Sequence, residues 1–474
     1  MLTRWTLENF KPFLGPLDIP IRPVTVFAGL NSSGKSSLLQ SILMVAQTMR
    51  HPSRDRALVL NGSLVQLGSV AKVRNDHART PGIAVGFEVD FRAQPKTRHV
   101  GKPKVISTWA RALPGATVDE GPESTSLVFG EGRYHVAYAD QTPLLSVVLR
   151  ALSPEERAAV LLADGNDDFW NINAIAQHED AAGSAGSGPA LWAEMVHFLP
   201  LWLRPENNAS RPLPDSVSVE EYFTTSIRYL GPLRVAPQPA KGFAPSDEPD
   251  DVGPQGEYAA ACFDANKDRK LRFYDPHQGA VIVDTLAAAL DLWSRYLGVG
   301  HHIATEDGGQ AGVFWNVQTS QDGAARPLHY VGVGVSQVLP VLVAGLLAPR
   351  GTTLLMEQPE LHLHARAQAR LGDFFYGLAR CGKQCIIETH SDCLIKQLRY
   401  HLVADAPESR EQIAVYFVEQ DAAGEALATP IEIGESGAIL NWPDGFCDEA
   451  IKQEDDIVRA SVKARARRPD GKSE

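Results

Sequence analysis

The stretch Val24-Thr25-Val26-Phe27-Ala28-Gly29-Leu30-Asn31-Ser32-Ser33-Gly34-Lys35-Ser36-Ser37 constrains this 474-residue chain more than any other. A β-branched and aromatic run ends at Gly29, and Leu38, Leu39, Ile42, Leu43 and Ala46 then recur at helical spacing, which predicts strand, glycine-rich loop, helix. The loop fits G-x-x-x-x-G-K-[ST] without a mismatch. Unpaired N–H groups and the dipole of a helix N-terminus favour phosphate oxygens there. Gly29 and Gly34 allow the chain to curl around phosphates, Lys35 is placed for the β- and γ-phosphates, and the Ser36 hydroxyl can ligate Mg²⁺. Asn31, Ser32, Ser33, Gly34, Lys35, Ser36 and Ser37 are the expected cradle for a nucleoside triphosphate.

Composition bounds the rest. With 44% hydrophobic and 22% charged residues the chain is of ordinary globular type, long enough for two or three domains. A formal charge of −12 excludes a surface coated throughout with cations for nucleic acid, though not a local basic groove. The five cysteines match no zinc spacing and read as free thiols of a reducing compartment. No stretch reaches about 18 uninterrupted apolar residues, so the expected location is cytoplasmic.

Along the chain, residues 2–27 read as short strands before the loop, and Ile83 to Phe91 alternates as another. From about 93 to 225 Pro, Gly and Ser become common, with amphipathic stretches at Leu144–Leu162 and Leu191–Leu203. The second of these, with Trp192, Phe198 and Trp202, reads either as core or as an interaction surface. Low-complexity loops are expected at 181–189 and 237–254. Helical character returns over Val281–Leu297, and a strand is expected at Gly312–Val317. An apolar helix entered through Val331–Gln337 precedes Thr352–Met356, a run suited to a buried parallel strand. Glu357-Gln358-Pro359-Glu360-Leu361-His362-Leu363-His364 follows it. A helix over about 365–380 and a strand at 384–388 lead to Thr389-His390-Ser391. Polar residues thus gather at strand C-termini, where open α/β sheets bind ligands.

With these motifs in order, preceded by Asn9-Phe10-Lys11 and accompanied by Tyr229–Arg234 and Asn441–Phe446, the chain resembles the ABC-type ATPases of the SMC and RecF kind. Within them it resembles the OLD-like group of AAA_15, AAA_21 and DUF3696 proteins. The resemblance covers residues 1–92 and about 226–450. It implies an α/β P-loop NTPase of two lobes, an antiparallel β-layer and a parallel-sheet core with helices, with an inserted α/β segment. The expected units are an N-terminal lobe (1–92), an insertion that selects a partner or DNA (93–225), a C-terminal lobe (226–450) and a charged tail (451–474).

The resemblance also implies ATP sandwiched between the P-loop of one subunit and the signature segment of another, here Val331–Gln337 with Gly334 and Ser336. His390 matches the histidine that contacts the γ-phosphate. Metal candidates are Ser36, Glu357 and Gln66. Relatives carry Asp-Glu where this chain has Glu357-Gln358. Glutamine orients water but is no base near neutral pH, and general-base help is worth about 10²–10⁴-fold, so slow hydrolysis is expected. Glu360 is either the substitute base or a brace of its own segment. His362 and His364, in register with Glu360, read as a metal site or as part of the subunit-facing segment. Catalytic candidates are therefore Gln358, Glu360 and His390.

Relatives that cleave DNA themselves commonly carry a C-terminal Toprim domain. Only 83 residues follow Ser391, and the acidic run at 444–456 reads as a solvated face, so no nuclease is expected here. The expectation is an ATP- and Mg²⁺-dependent homodimer that controls a separately encoded nuclease on DNA, as in bacterial antiphage defence, without a membrane partner. The other reading is a scaffold clamped by ATP with negligible turnover, or an ATPase of DNA repair or recombination.

Overall fold

The computed structural model describes residues 1–51, 59–79, 83–90, 103–113, 128–138, 145–150, 159–161, 190–196, 199–205, 211–212, 214–235, 250–309, 312–405, 408–443, 453–454 and 456–460. For the described residues between 103 and 218 the backbone alone is described. The expected loop at 181–189, most of that at 237–254 and the basic tail at 463–468 lie outside the described residues.

The chain opens with β1 (Leu2–Glu8) and β2 (Leu17–Pro20), then β3 (Val24–Gly29), the glycine loop and α1 (Lys35–Arg50). A short α2 (Val70–Val73) precedes β4 (Ile83–Asp90). In the next segment run β5 (Pro103–Leu113), β6 (Val128–Tyr138), β7 (Leu145–Arg150), β8 (Ala159–Leu161), β9 (Ala190–Val196), β10 (Leu199–Pro205) and β11 (Arg211–Pro212). An antiparallel sheet of order β2-β1-β4-β5-β6-β7 therefore runs from the N-terminal segment into residues 103–150, and β11-β10-β9-β8 form a second sheet. The amphipathic alternation at 144–162 and 191–203 belongs to strands among the described residues.

A helix α3 (Pro214–Thr225) leads into β12 (Ile227–Leu230), followed by α4 (Ala259–Asn266) and the hairpin β13 (Lys270–Asp275) with β14 (Ala280–Thr285). Next come α5 (Leu286–Leu297), β15 (His302–Asp307), β16 (Val313–Gln318) and β17 (Arg326–Pro327). The C-terminal part is α6 (Val333–Leu347), β18 (Thr353–Glu357), α7 (Ala365–Arg380), β19 (Gln384–Glu388), α8 (Asp392–Ala404), β20 (Ile413–Gln420) and β21 (Ala426–Pro430). One expectation is corrected: Val281–Leu297 is not one helix. Its first residues pair with β13, and the helix starts only after Thr285, whose side chain caps it by accepting from the Ala288 N–H at 3.2 Å.

The central sheet has the order β12-β18-β19-β3-β20-β21, parallel except for the β20–β21 pair. The middle residues of β18, β19 and β20 are apolar, as burial on both faces requires. Val24, Val26, Leu354, Met356, Cys385, Ile387, Val415 and Phe417 face one core with α5 to α8. Phe27, Leu355, Ile386 and Tyr416 face the other, with α1 and the antiparallel sheet. The period of two thus splits one sheet between two cores. On the second side, Leu38, Leu39, Ile42, Leu43 and Ala46 of α1 are all buried, and the Trp5 ring of β1 donates to Ser41 Oγ at 2.9 Å. On the first, α6 is apolar all round and buried from Ser336 to Leu347, the composition of an interior helix. Five parallel strands consequently end along one edge, and that edge holds the polar site.

Candidate functional site: the glycine loop and the carboxylates beside it

Gly29 leaves β3 with φ 145°, and a Cβ there would lie 2.1 Å from the Val418 carbonyl oxygen. At Gly34, φ is 109° and a Cβ would meet Pro12 at 2.9 Å. Neither position accepts a side chain, because the loop has to turn sharply against β20 and against the Asn9–Phe13 turn. The Lys35 side chain is buried and runs back over the loop, its ammonium donating to the Gly29 carbonyl at 3.0 Å and to the Leu30 carbonyl. Burial lowers its pKa, opposed by the charge of Glu388. A cleft of about 360 Å³ opens above the loop, with Lys11, Ser33, Lys35, Gln358, Glu388 and His390 among its walls. Asn31, Ser32, Gly34, Ser36 and Ser37 line the same cleft, so the whole expected cradle is brought together.

The strand register sets the chemistry beside it. β19 lies between β3 and β18, with Glu388 paired to Phe27 on one side and to Glu357 on the other. Glu388 Oε1 accepts from Ser36 Oγ at 3.0 Å, and its Oε2 is enclosed without a partner. Glu357 Oε1 accepts from the Tyr229 hydroxyl at 2.8 Å. Burial first, and the neighbouring Glu388 carboxylate second, push Glu357 up to about 7, and burial likewise raises Glu388. Arg234 answers this charge: its guanidinium donates to the Glu357 carbonyl at 2.9 Å and to the Gln358 carbonyl at 3.3 Å. Burial pulls Arg234 down to about 10, against the attraction of Glu360, Tyr229 and Glu357.

Gln358 has φ 44°, a left-handed conformation that costs a non-glycine residue about 1–3 kcal/mol. Three groups hold it there: its N–H donates to the Glu388 carbonyl at 2.8 Å, while its carbonyl receives Arg234 and the Leu361 N–H. Gln358 lines the cleft together with the loop residues. Glu360 braces the neighbouring turn, its Oε1 accepting from Thr389 Oγ1 at 2.6 Å and from the His390 N–H at 2.8 Å. His390 stands at the exposed rim, its pKa lowered by partial desolvation and by the Lys35 charge.

Other expected residues stand elsewhere. Gln66 is not at the cleft: it is exposed in a small turn, where its amide donates to the Gly62 carbonyl at 2.7 Å. The structure therefore does not bring this metal candidate together with Ser36 at the cleft. Gly334 lies on a second cleft, of about 500 Å³, formed by the start of α6, His362, His364, Arg366 and Arg370. A Cβ at Gly334 would come within 2.6 Å of the His362 carbonyl oxygen, so this glycine permits the close packing of two segments. The Ser336 hydroxyl is buried and donates to the Val333 carbonyl at 2.7 Å, which turns it back into its own helix. His364 caps α7 by accepting from the Arg366 N–H at 3.3 Å, and no His/Cys/Asp/Glu metal cluster occurs among the described residues. Cys262, Cys381, Cys385 and Cys393 are free thiols, and Cys447 lies outside the described residues. Among the described residues no helix is long and apolar enough to cross a membrane.

Glu388, Tyr229 and Arg234 are the residues that motif reading did not assign. Their signal lay in two short phrases, Ile386-Ile387-Glu388-Thr389 and Tyr229-Leu230-Gly231-Pro232-Leu233-Arg234, each placing a polar group just where a buried strand ends. The donor set fits the group that such a loop implies. The N-terminus of α1 with Lys35 suits a triphosphate, and Ser36 Oγ with an unpartnered, buried carboxylate oxygen suits a hard cation such as Mg²⁺.

Comparison with known proteins finds similarity over parts of the chain. Residues 285–395 match the family described as AAA ATPase domain (AAA_15), and residues 409–457 match a protein family of unknown function, DUF3696. No curated protein matches the chain. Among solved structures the chain is similar to an SMC head bound to the C-winged helix domain of ScpA, at 12% identity and a TM-score of 0.43, over 92% of this chain and 98% of that one. It is likewise similar to the SMC head domain from Thermotoga maritima, at 11% identity and a TM-score of 0.40, over 91% of this chain and 99% of that one. Likeness at this distance transfers neither residue roles nor partners. The AAA_15 match spans Glu357, Gln358, Glu360 and His390, so this part of the chain is similar to an AAA ATPase domain, and the part that follows it to DUF3696.

Proposed function

We propose that the chain is an ATP-binding, slowly hydrolysing ATPase that closes as a homodimer around ATP and Mg²⁺ and thereby controls a DNA-directed effector. The observation that carries the assembly step is the separation of the two clefts. The loop residues and Gln358 line one, whereas Gly334 at the start of α6 lines the other. A nucleotide in the first cleft would meet a helix N-terminus like that of α6 only from a second copy.

Slow turnover follows from Gln358. It lines the cleft with the loop, and its amide can orient a water while lacking the basicity of a glutamate. Phosphoryl transfer relies chiefly on positioning and charge stabilisation, for which Lys35, His390 and the bound cation suffice at a reduced rate. Lys35 and the helix N-terminus would bind the β- and γ-phosphates, and Ser36 together with a neighbouring carboxylate would hold Mg²⁺, whose contribution there would be to neutralise charge on the phosphates. The insertion over 93–225 is the place for a partner or DNA to be selected, because the lobes are committed to nucleotide. A cytoplasmic antiphage ATPase with a separately encoded nuclease is the biological setting this reading favours.

The experiment is the mass of the purified protein with and without ATP·Mg²⁺, alongside phosphate release, for wild type and Lys35→Ala. The expected result is an ATP-driven dimer or larger assembly that Lys35→Ala does not form, with slow phosphate release. Assembly with no release above background favours the other reading, an ATP-clamped scaffold, for which Gln358 is the specific support. Neither assembly nor turnover in response to ATP would overturn both readings.

A further inference from the structure

Three buried carboxylates, Glu357, Glu360 and Glu388, crowd the end of the central sheet, and the nucleotide reading needs one of them beside the cation. Motif order points to Glu357, the last residue of β18. The strand register points elsewhere. Because β19 is interposed between β3 and β18, Glu388 is one strand from the loop-bearing strand and Glu357 is two, a difference of about 4.8 Å. Glu357 does not line the cleft, and one of its oxygens is taken by Tyr229. Glu360 also has an Oε2 without a partner, but it does not line the cleft, and its Oε1 is occupied by Thr389 and by the His390 N–H. Glu388 does line it. Its Oε1 accepts from the Ser36 hydroxyl at 3.0 Å, and its Oε2, on a residue only 4% exposed, has no hydrogen-bond partner.

A buried carboxylate oxygen without a partner costs several kcal/mol unless a cation or a donor completes it, which marks Glu388 as built for an ion. We propose that Glu388, rather than Glu357, is the carboxylate that holds the divalent cation beside Ser36, with Glu357 and Tyr229 serving as the wall behind it. The inference rests on the nucleotide reading above. It moves the metal ligand one strand across the sheet, and it assigns the end of β19 two tasks, Glu388 toward the cation and His390 toward the phosphates.

The test separates nucleotide binding from metal binding. A fluorescent ATP analogue is titrated in EDTA, and Mn²⁺ binding to the protein–nucleotide complex is followed by electron paramagnetic resonance, for wild type, Glu388→Gln, Glu388→Asp and Glu357→Gln. Expected is that Glu388→Gln keeps nucleotide binding in EDTA yet loses at least about tenfold in Mn²⁺ affinity, the loss that even an outer partner of a metal ligand causes. Glu388→Asp should recover part of that loss, and Glu357→Gln should bind Mn²⁺ much as wild type does. The proposal is overturned if Glu388→Gln binds Mn²⁺ like wild type, or if Glu357→Gln loses as much as Glu388→Gln. Should Glu388→Gln fail to bind nucleotide even in EDTA, Glu388→Asp decides: Mn²⁺ affinity weakened with nucleotide binding kept supports the assignment, and unchanged Mn²⁺ affinity overturns it. A wild type that binds no nucleotide in EDTA or with Mn²⁺ sinks the nucleotide reading itself, an outcome distinct from a misplaced ligand.

Discussion

Strands β18 and β19 carry buried polar side chains at both ends, and the two ends are built differently. At the start, the Gln384 amide makes four bonds: its Oε1 accepts from the Leu2 N–H at 3.0 Å and from Thr353 Oγ1 at 2.7 Å, and its Nε2 donates to the Leu2 and Arg22 carbonyls. Tyr222 closes the group, its hydroxyl 2.5 Å from Thr353 Oγ1. Every donor and acceptor of that amide is used. At the finish, Glu388 Oε2, Glu360 Oε2 and Arg234 Nε are buried without partners, and like charges face each other across one strand. The closed end joins β1 to the sheet. The open end has capacity left for a ligand. Burial and polarity alone do not tell the two apart; the unused hydrogen-bonding capacity does.

The strongest way to break this comparison is Gln384→Leu. Losing the amide removes its four hydrogen bonds to Leu2, Arg22 and Thr353 from a buried site, so stability should fall by about 3 kcal/mol, read by thermal or urea unfolding. Nucleotide affinity of the folded fraction should not change. If affinity falls in step with stability, the two ends are coupled and the contrast is void.

A smaller stability effect with a larger functional one is expected at the open end. Arg234→Met removes the donor from the Glu357 and Gln358 carbonyls and the positive charge beside the carboxylates, a loss of about 2 kcal/mol. Without that clamp the left-handed Gln358 peptide is free to relax, so ATP-analogue binding with Mg²⁺ should weaken in a binding titration. Unchanged binding would show that Arg234 holds the fold alone.

How much of this was legible in the sequence follows from the range of each interaction. The loop was legible because its strand, glycines, lysine and helix are contiguous, and every residue from Asn31 to Ser37 lines the cleft. The β18 and β19 strands and α7 were legible for the same reason, through apolar runs and a 3.6-residue period. Glu388 was read as the end of a strand and not as the partner of Ser36, because 352 residues separate the two and only register brings them together. Arg234 reaches Glu357 across 123 residues, and no local period encodes that. The helix assigned to Val281–Leu297 failed for a local reason: Val281-Ile282-Val283 is apolar on either reading, and Thr285 was not recognised as the cap that starts the helix. Ser336 falls later than the usual serine position, which Gly332 occupies, and its hydroxyl has a nearer acceptor in its own helix, the competition that serine side chains commonly offer.

The finest test of the two ends is pH. Lys383, next to Gln384 at the closed end, is 5% exposed, and its ammonium donates to the Gly345 and Leu346 carbonyls at 2.7 and 2.9 Å near the end of α6. Burial pulls it down to about 8, from 10.5 for the ordinary side chain. Between those values the unfolded chain holds more protons than the folded one, so stability rises with pH across that window. Below it both states are protonated and the residue contributes no slope. The expected gain is about 1–2 kcal/mol between roughly pH 8 and 9.5, measured by urea unfolding against Lys383→Met, in which that part of the slope should vanish. Both carbonyl oxygens remain within reach of the neutral amine, which still carries two N–H donors, so the closed end stays closed as it loses its proton. A slope that persists in Lys383→Met would place the titrating group elsewhere, and a falling slope would mean that Lys383 keeps its charge by holding those two carbonyls.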